Sequence, residues 1–391
     1  MKLNTVITVF LVEVYVISSE YITRPCGQDL SNLWLDVVAV VDNSQGMTND
    51  GLTAIAANIA SVFSEGTKIG TNSNDPRTTR LGLVTYSSKA TKNAYLDKFQ
   101  SIDDLYDNIF TDLATVSQTD DSNLETGLEA AEEILEAGKN EKRKFYKKLI
   151  LIYASTFNRN GEAISIANRL KSAGTKLVTV AYDQGGGDEQ LADGLAQISS
   201  PRFNFTNNNQ ALIGNIQMAM LEANCFCAPT WTQYRQYYSD STSPPGGVCI
   251  QPVGLTAVWR AARISCANRF KNSYLADEFT QHKHDFIFDS IKNTRGFQVP
   301  YSYHIGLTLS NGSWSWDRPN GWEQPVVQHW FGWDSGFPIS TSSRTSGANF
   351  GNGSDAEWQN IGAMNIGLNY VCETATCDTD NYCSTDQLDE I

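Results

Sequence analysis

Asp42 and Ser44 stand where a chain could begin a metal site. In "LDVVAVVDNSQGMTND", residues 35–50, an apolar run delivers an aspartate and then a serine to a loop just before a helix. Carboxylate and hydroxyl oxygens are what hard cations such as magnesium take as ligands. Other chemistry has thinner support. No Gly-x-Ser-x-Gly elbow occurs. His282 and His284 lie two apart on a helix and cannot face one ligand together, so they read as a solvated helix surface. "DQGGGDEQ", residues 183–190, has no following lysine and reads as a flexible turn, not a phosphate loop. No catalytic residue is assigned, and the chain reads as a non-enzyme.

The elements around Asp42 follow an alternating plan. "LWLDVVAVVD", "RLGLVTYSS", "KKLILIYAS" and "TKLVTVAYD" are strands that are apolar nearly throughout. Between them lie helical patterns: "TAIAANIASVFSEG", "SIDDLYDNIFTDLA" with Ser101 as N-cap, "NLETGLEAAEEILEAGK" and "EAISIANRLKSAG". "NQALIGNIQMAMLEAN" closes the series. Strands without a polar face, each followed by a helix, predict a mostly parallel sheet covered on both sides. Sites in such sheets form at the carboxyl ends of the strands, which is where Asp42 falls.

This segment, residues 26–225, resembles a von Willebrand factor type A domain. The resemblance implies a doubly wound α/β fold and a magnesium site with five protein ligands. Three come from an Asp-x-Ser-x-Ser loop, one is a threonine from a second loop, and one is an aspartate ending a later strand. Asp42 and Ser44 match the first two. Gly46 takes the third place, Leu124 in "SNLETGLEAA" the fourth and Ala154 in "LILIYAS" the fifth. Two oxygens with one charge are a poor match for magnesium, even with Thr119, Asp120 and Asp121 nearby. Asp42 and Ser44 therefore read as vestigial, serving turn formation and helix capping.

After Cys227 the composition changes. All four histidines and nearly all the tryptophans fall there. "GGVCIQPV" reads as a strand, "LTAVWRAARISCANRFKNSYLA" and "DEFTQHKHDFIFDSIKN" as helices, and "SYHIGLTL" and "NIGLNYVCE" as strands. This order resembles a C-type lectin-like domain of the long form, residues 227–373, with "HIGL" at 304–307 in the place of that family's Trp-Ile-Gly-Leu motif. A short cysteine-containing tail, 374–391, follows. Calcium-dependent members of the family use Glu-Pro-Asn or Gln-Pro-Asp in a long loop and then Trp-Asn-Asp. Here the places hold Phe337-Pro338-Ile339 and Trp358-Gln359-Asn360, leaving Asp334, Asp355 and Glu357 as stray acids. Neither calcium nor magnesium is expected, so no cofactor is assigned. Trp330, Trp333 and Trp358 are the candidate ligand-binding residues, because aromatic faces stack on sugars and anchor interfaces. The other tryptophans read as core.

The two resemblances also imply how the eight cysteines pair. The ends of a type A domain lie close together, which gives Cys26–Cys225. The lectin-like order gives Cys227–Cys249 and Cys266–Cys372 and leaves Cys377–Cys383 in the tail. The pairing of these two modules in one chain is similar to a large group of nematode proteins of recognition and innate immunity.

Size and charge fit this reading. A chain of 391 residues suits two domains. Lys2 and an apolar run ending at Ser18 and Ser19 read as a signal peptide, residues 1–19. An even cysteine count behind it predicts disulfides and secretion. Asn204, Asn311 and Asn352 open glycosylation sequons, which predicts surface loops there. The net charge of −14 argues against nucleic acid and anionic membranes as partners. An extracellular protein or glycan is the expected ligand. A calcium-dependent lectin with other ligands and a structural matrix component are the alternatives.

Overall fold

The computed structural model describes residues 23–389 except 64–65, 73, 160, 184–188 and 328–329. The segment 1–19 expected as a signal peptide lies outside the described residues, as do residues 184–188 of the expected glycine-rich turn.

The first unit is a doubly wound α/β sandwich. In chain order its elements are β1 (Leu35–Asp42), α1 (Asn49–Val62), β2 (Arg80–Tyr86), β3 (Ala90–Ala94), α2 (Ile102–Asp112) and α3 (Leu124–Ala137). Then come β4 (Lys147–Ala154), α4 (Ala163–Ser172), β5 (Lys176–Ala181), α5 (Glu189–Ala196), β6 (Asn204–Thr206) and α6 (Leu212–Ala223). The six strands lie in the order β3-β2-β1-β4-β5-β6, all parallel except the β2–β3 pair. Every residue of β1 is buried because successive side chains enter opposite cores. Val37, Ala39 and Val41 meet Leu52, Ile55 and Ile216 on one face. Val38 and Val40 meet Leu128, Ile134 and Ile166 on the other. Each such aliphatic side chain contributes about 1.5–3 kcal/mol through burial. The sequence pattern did not single out the edge strands β3 and β6 or the short helix α5.

The second unit contains β7 (Thr232–Arg235), β8 (Pro245–Val258), α7 (Trp259–Ala267), β9 (Tyr274–Leu275), α8 (Gln281–Lys292), β10 (Tyr303–Ser310) and β11 (Ser313–Trp316). It continues with β12 (Ser346–Gly351), β13 (Ala356–Ile361) and β14 (Gly367–Ala375), and the tail adds α9 (Thr385–Asp389). The sheet runs β13-β12-β10-β14-β8-β7, with β11 on β10 and β9 on β14. The helix expected over residues 255–276 is shorter. Its first residues, with β-branched Thr256 and Val258, prolong β8, and Tyr274–Leu275 pair with β14. The second helix starts only at Gln281, where the Thr280 hydroxyl accepts the Lys283 N–H. From α7, Trp259 Nε1 donates to the Ile305 carbonyl of β10 at 2.8 Å. His304, in the place of a tryptophan, is fully buried with Nε2 at 2.9 Å from the Ala257 carbonyl. Burial drives its pKa down to about 4, so the ring is neutral and Nε2 is the donor.

The cysteines pair as Cys26–Cys225, Cys227–Cys249, Cys266–Cys372 and Cys377–Cys383. The two units share a small aromatic core. Trp34, fully buried just before β1, is ringed by Tyr146, Phe226 and Tyr382 at centroid distances of 5.0, 5.4 and 5.0 Å. Its indole N–H donates to the carbonyl of Asp378 in the tail. Below it, Asp36 holds two arginines. Arg80 pairs with both of its carboxylate oxygens, and Arg143 pairs with Oδ1 while stacking on Tyr146 at 3.8 Å.

Candidate functional site

Two places in this fold could carry function, and each is built around a side chain expected from the sequence. The first lies at the carboxyl end of β1. Asp42 is fully buried there. Its Oδ1 accepts the Ser44 N–H at 2.9 Å. Its Oδ2 accepts the Ser122 hydroxyl at 2.9 Å, the Ser155 hydroxyl at 2.6 Å and the Ser155 N–H at 3.2 Å. The sequence reading placed Leu124 and Ala154 at the missing ligand positions, and both are buried apolar residues. Ser122 and Ser155, two and one residues away, turn their hydroxyls onto Asp42 instead. The visible signal was a serine beside each missing ligand, but strand and helix phase decide which neighbour faces inward.

This arrangement does not fit magnesium. Protons from Ser122 and Ser155 approach the oxygen that a cation would take, and the cluster contains one formal charge. Magnesium needs near-octahedral oxygens and gives up water reluctantly. Gly46 adds no side-chain donor, and Thr119, Asp120 and Asp121 are exposed. Tyr86 is fully buried in the same region, where burial and the Asp42 charge push its hydroxyl far above the ordinary tyrosine range. It is a neutral phenol at any physiological pH. Among the described residues, no group of three or more His, Cys, Asp or Glu side chains is arranged to hold a metal.

The second place is the long loop between β11 and β12 together with β13. Asn360, almost fully buried on β13, clasps this loop. Its Oδ1 accepts the Ile339 N–H at 2.7 Å, and its Nδ2 donates to the carbonyls of Ile339 at 2.8 Å and Arg344 at 3.1 Å. An amide therefore bridges the loop where the resemblance would put a calcium carboxylate. Beside it lies a groove of about 440 Å³ lined by Trp314, Pro338, Ile339, Thr341 and Arg344. The stray acids do not converge on it. Asp334 accepts from Gln359 at 2.7 Å, Asp355 meets His284 at 3.4 Å, and Glu357 is exposed.

The tryptophan candidates need correction. Trp358 is fully buried, and its indole N–H donates to Glu278 at 2.6 Å. It faces inward because β13 alternates, which gives Trp358 to the core and Glu357 to solvent. Trp330 and Trp333 are half-buried and pack edge-on against it at 4.9 and 5.7 Å. They support the loop more than they display it. Its exposed aromatics are Trp322 and Phe331, at 50% and 58% exposure.

His284 is a second correction. It is buried, not solvated, with Nδ1 at 3.0 Å from Glu278. Glu278, itself fully buried, also accepts from Asn349 and Tyr303. Burial alone would lower the His284 pKa, but the Glu278 carboxylate and then Asp355 raise it to about 9. Burial would likewise raise Glu278, yet His284, Trp358 and Asn349 hold it below the ordinary range. The pair is an imidazolium and a carboxylate, and its partners place it in the domain core. A helical pattern gives no sign of this, because Glu278 lies outside the helix that carries His284.

Of the sequon residues, Asn311 and Asn352 are exposed at turns, but Asn204 is a strand residue. Its Oδ1 accepts the Thr179 hydroxyl at 2.6 Å and its Nδ2 donates to the Ala192 carbonyl at 2.9 Å. The expected surface loop at Asn204 is absent because the segment pairs with β5.

Residues 36–219 match the family model of the von Willebrand factor type A domain. Among curated proteins, the chain is 26% identical over 388 residues to C-type lectin domain-containing protein 160 of Caenorhabditis elegans. That match covers 92% of this chain and 56% of the relative, so the chain spans about half the length of that protein. Among solved structures, proximal thread matrix protein 1 from the mussel byssus is 20% identical with a TM-score of 0.40, covering 50% of this chain and 47% of that one. Human lithostathine is 20% identical with a TM-score of 0.30, covering 38% of this chain and 90% of that one. The first unit is a von Willebrand factor type A domain, and the second has the C-type lectin-like topology. Both are binding modules, which supports a role in adhesion or recognition. No helix among the described residues is long and apolar enough to cross a membrane.

Proposed function

We propose that this is a secreted, non-enzymatic recognition protein that binds an extracellular glycan or protein through the long-loop groove without a divalent cation, in a setting such as innate defence. One observation carries the reading. At each place where a cation would organise the ligand surface, the chain supplies its own hydrogen bonds. Serines 122 and 155 close on Asp42, and Asn360 ties the loop at Ile339 and Arg344. The loop is thus fixed before any ligand arrives, which lowers the ordering cost of binding. Four disulfides accord with an oxidising compartment.

The test is a glycan and secreted-protein binding screen of the whole chain, run with calcium and magnesium and again with a chelator. The expected result is a ligand whose retention is unchanged by the chelator and weakened by Arg344→Ala. Retention abolished by the chelator and restored by calcium would replace this reading with a calcium-dependent lectin. A stable homo-oligomer that captures nothing would favour a matrix component.

A further inference from the structure

The end of the parallel sheet opposite Asp42 carries a feature that the reading above does not use. Lys147 and Lys176 open β4 and β5 at their amino ends, where the first unit meets the second. Across the junction Arg235 ends β7, and Arg202 comes from the turn before β6. All four line one cavity of about 260 Å³, whose single acid is Glu222. Arg202 is already paired with Glu222. Among the described residues, no carboxylate lies within ion-pair distance of Lys147, Lys176 or Arg235. In a chain with 43 acidic and 29 basic residues, a cleft lined by four cations and one acid runs against the overall composition.

The surroundings supply part of the missing charge: Arg235 donates to the Asp240 carbonyl at 3.4 Å and helps hold the Asp240 carboxylate below its ordinary range, after that carboxylate's own bonds to Thr242. Lys147 lies over the Phe226 ring at 4.0 Å, a weak substitute for a carboxylate. Partial burial and then the neighbouring Lys176 lower its ammonium below the ordinary lysine range. Lys176 is lowered too, by desolvation and, against the pull of Glu222, by Arg235 and Arg202. These groups repel one another as the chain stands. An anion between them would reverse the sign of each interaction. Ser241 lines the same cavity and can donate to its oxygens, while the Ser243 hydroxyl beside it donates to the Asp240 carbonyl at 2.9 Å.

We propose that this junction cleft is a second binding site, one that takes a sulfate ester group on an extracellular saccharide. Four cations lining one cavity, with the Ser241 hydroxyl beside them, suit a compact tetrahedral oxyanion. The volume admits that group and part of one sugar ring. Phosphate esters share the shape, but the disulfide-bonded chain belongs to an oxidising compartment, where sulfated glycans are the abundant oxyanion esters. The site draws its walls from both units, so occupancy would also tie them together.

The test uses the full chain and compares melting temperature in sulfate and in chloride at matched ionic strength. A sulfated monosaccharide, its unsulfated parent and its phosphorylated analogue are then titrated calorimetrically. The expected result is a saturable rise with sulfate and binding of the sulfated sugar alone or most tightly. Lys147→Gln and Arg235→Gln should each weaken that binding by about tenfold or more, while Lys147→Arg keeps it. In chloride alone, Lys147→Gln loses its contact with the Phe226 ring and Arg235→Gln its bond to the Asp240 carbonyl, so the rise in sulfate is read against each variant's own chloride melting temperature. An equal rise in chloride, or a rise in sulfate unchanged in both glutamine variants, would mean a general salt effect and overturn the site. Preference for the phosphorylated sugar would overturn the sulfate assignment. A failed long-loop screen would leave this result standing, because Arg344 takes no part in it.

Discussion

The hydroxyl of Ser155 donates to Oδ2 of Asp42 at 2.6 Å, across the seam between β1 and β4. Asp42→Ala would leave the buried Ser44 N–H and the half-buried Ser122 and Ser155 hydroxyls without their acceptor. The expected cost is about 2–3 kcal/mol, read from denaturant unfolding. An unchanged midpoint would show that the cluster is not needed for stability.

Because those donors occupy the carboxylate, magnesium, calcium and chelator should leave the melting temperature unchanged. A folded-state ion at a hundred times its dissociation constant would add about 2.7 kcal/mol, a readily visible shift. Such a shift, lost in Asp42→Ala, would show that a cation displaces the serines.

His284 and Glu278 predict a pH dependence. The His284 pKa rises from 6.5 to about 9 on folding, so its contribution is complete below 6.5 and is lost as pH climbs toward 9. The amount is on the order of 3 kcal/mol. His284→Gln should be less stable near neutral pH and flatter across that window. Parallel profiles for the two proteins would remove His284 as the cause.

The sequons should differ in occupancy. Expression in a glycosylating secretory host should modify Asn311 and Asn352, which are exposed, and leave Asn204 bare, since its amide is held by Thr179 and Ala192. Peptide mass mapping decides this, and full occupancy at Asn204 would contradict the side-chain contacts that its amide makes with Thr179 and Ala192.

Replacing both Cys26 and Cys225 by alanine removes a bridge that closes 199 residues of chain. The chain-entropy model gives about 5 kcal/mol as an upper figure. Chemical denaturation should show that loss in the first unit. Little change would mean that the aromatic contacts around Trp34 hold the ends together without it.

Much of the framework was legible in the chain, for reasons that are local. Strands such as β1 and β4 are apolar in both phases, and only a sheet covered on two faces requires that. "HIGL" marks β10 because the strand must bury Ile305 and Leu307 while Gly306 lies against the Leu275 carbonyl. What escaped the sequence depends on contacts between distant segments. Ser122 and Ser155 are 33 positions apart and meet only through Asp42. The buried Lys283 of α8 pairs with Asp277 in the preceding loop and with Glu373 on the distant β14, and a helical wheel alone would have put it in solvent. Trp358 reads as a display residue because aromatic faces stack on ligands, yet strand phase turns it inward.

Trp34 has a mechanical consequence. It belongs to the segment that enters the central strand, while its ring and indole N–H are gripped by the tail that leaves the last strand of the other unit. A pull on a captured ligand would therefore pass straight into the middle of the parallel sheet, not into a pliant tether. The two modules should yield together under load, as a riveted joint does, and not swing apart first.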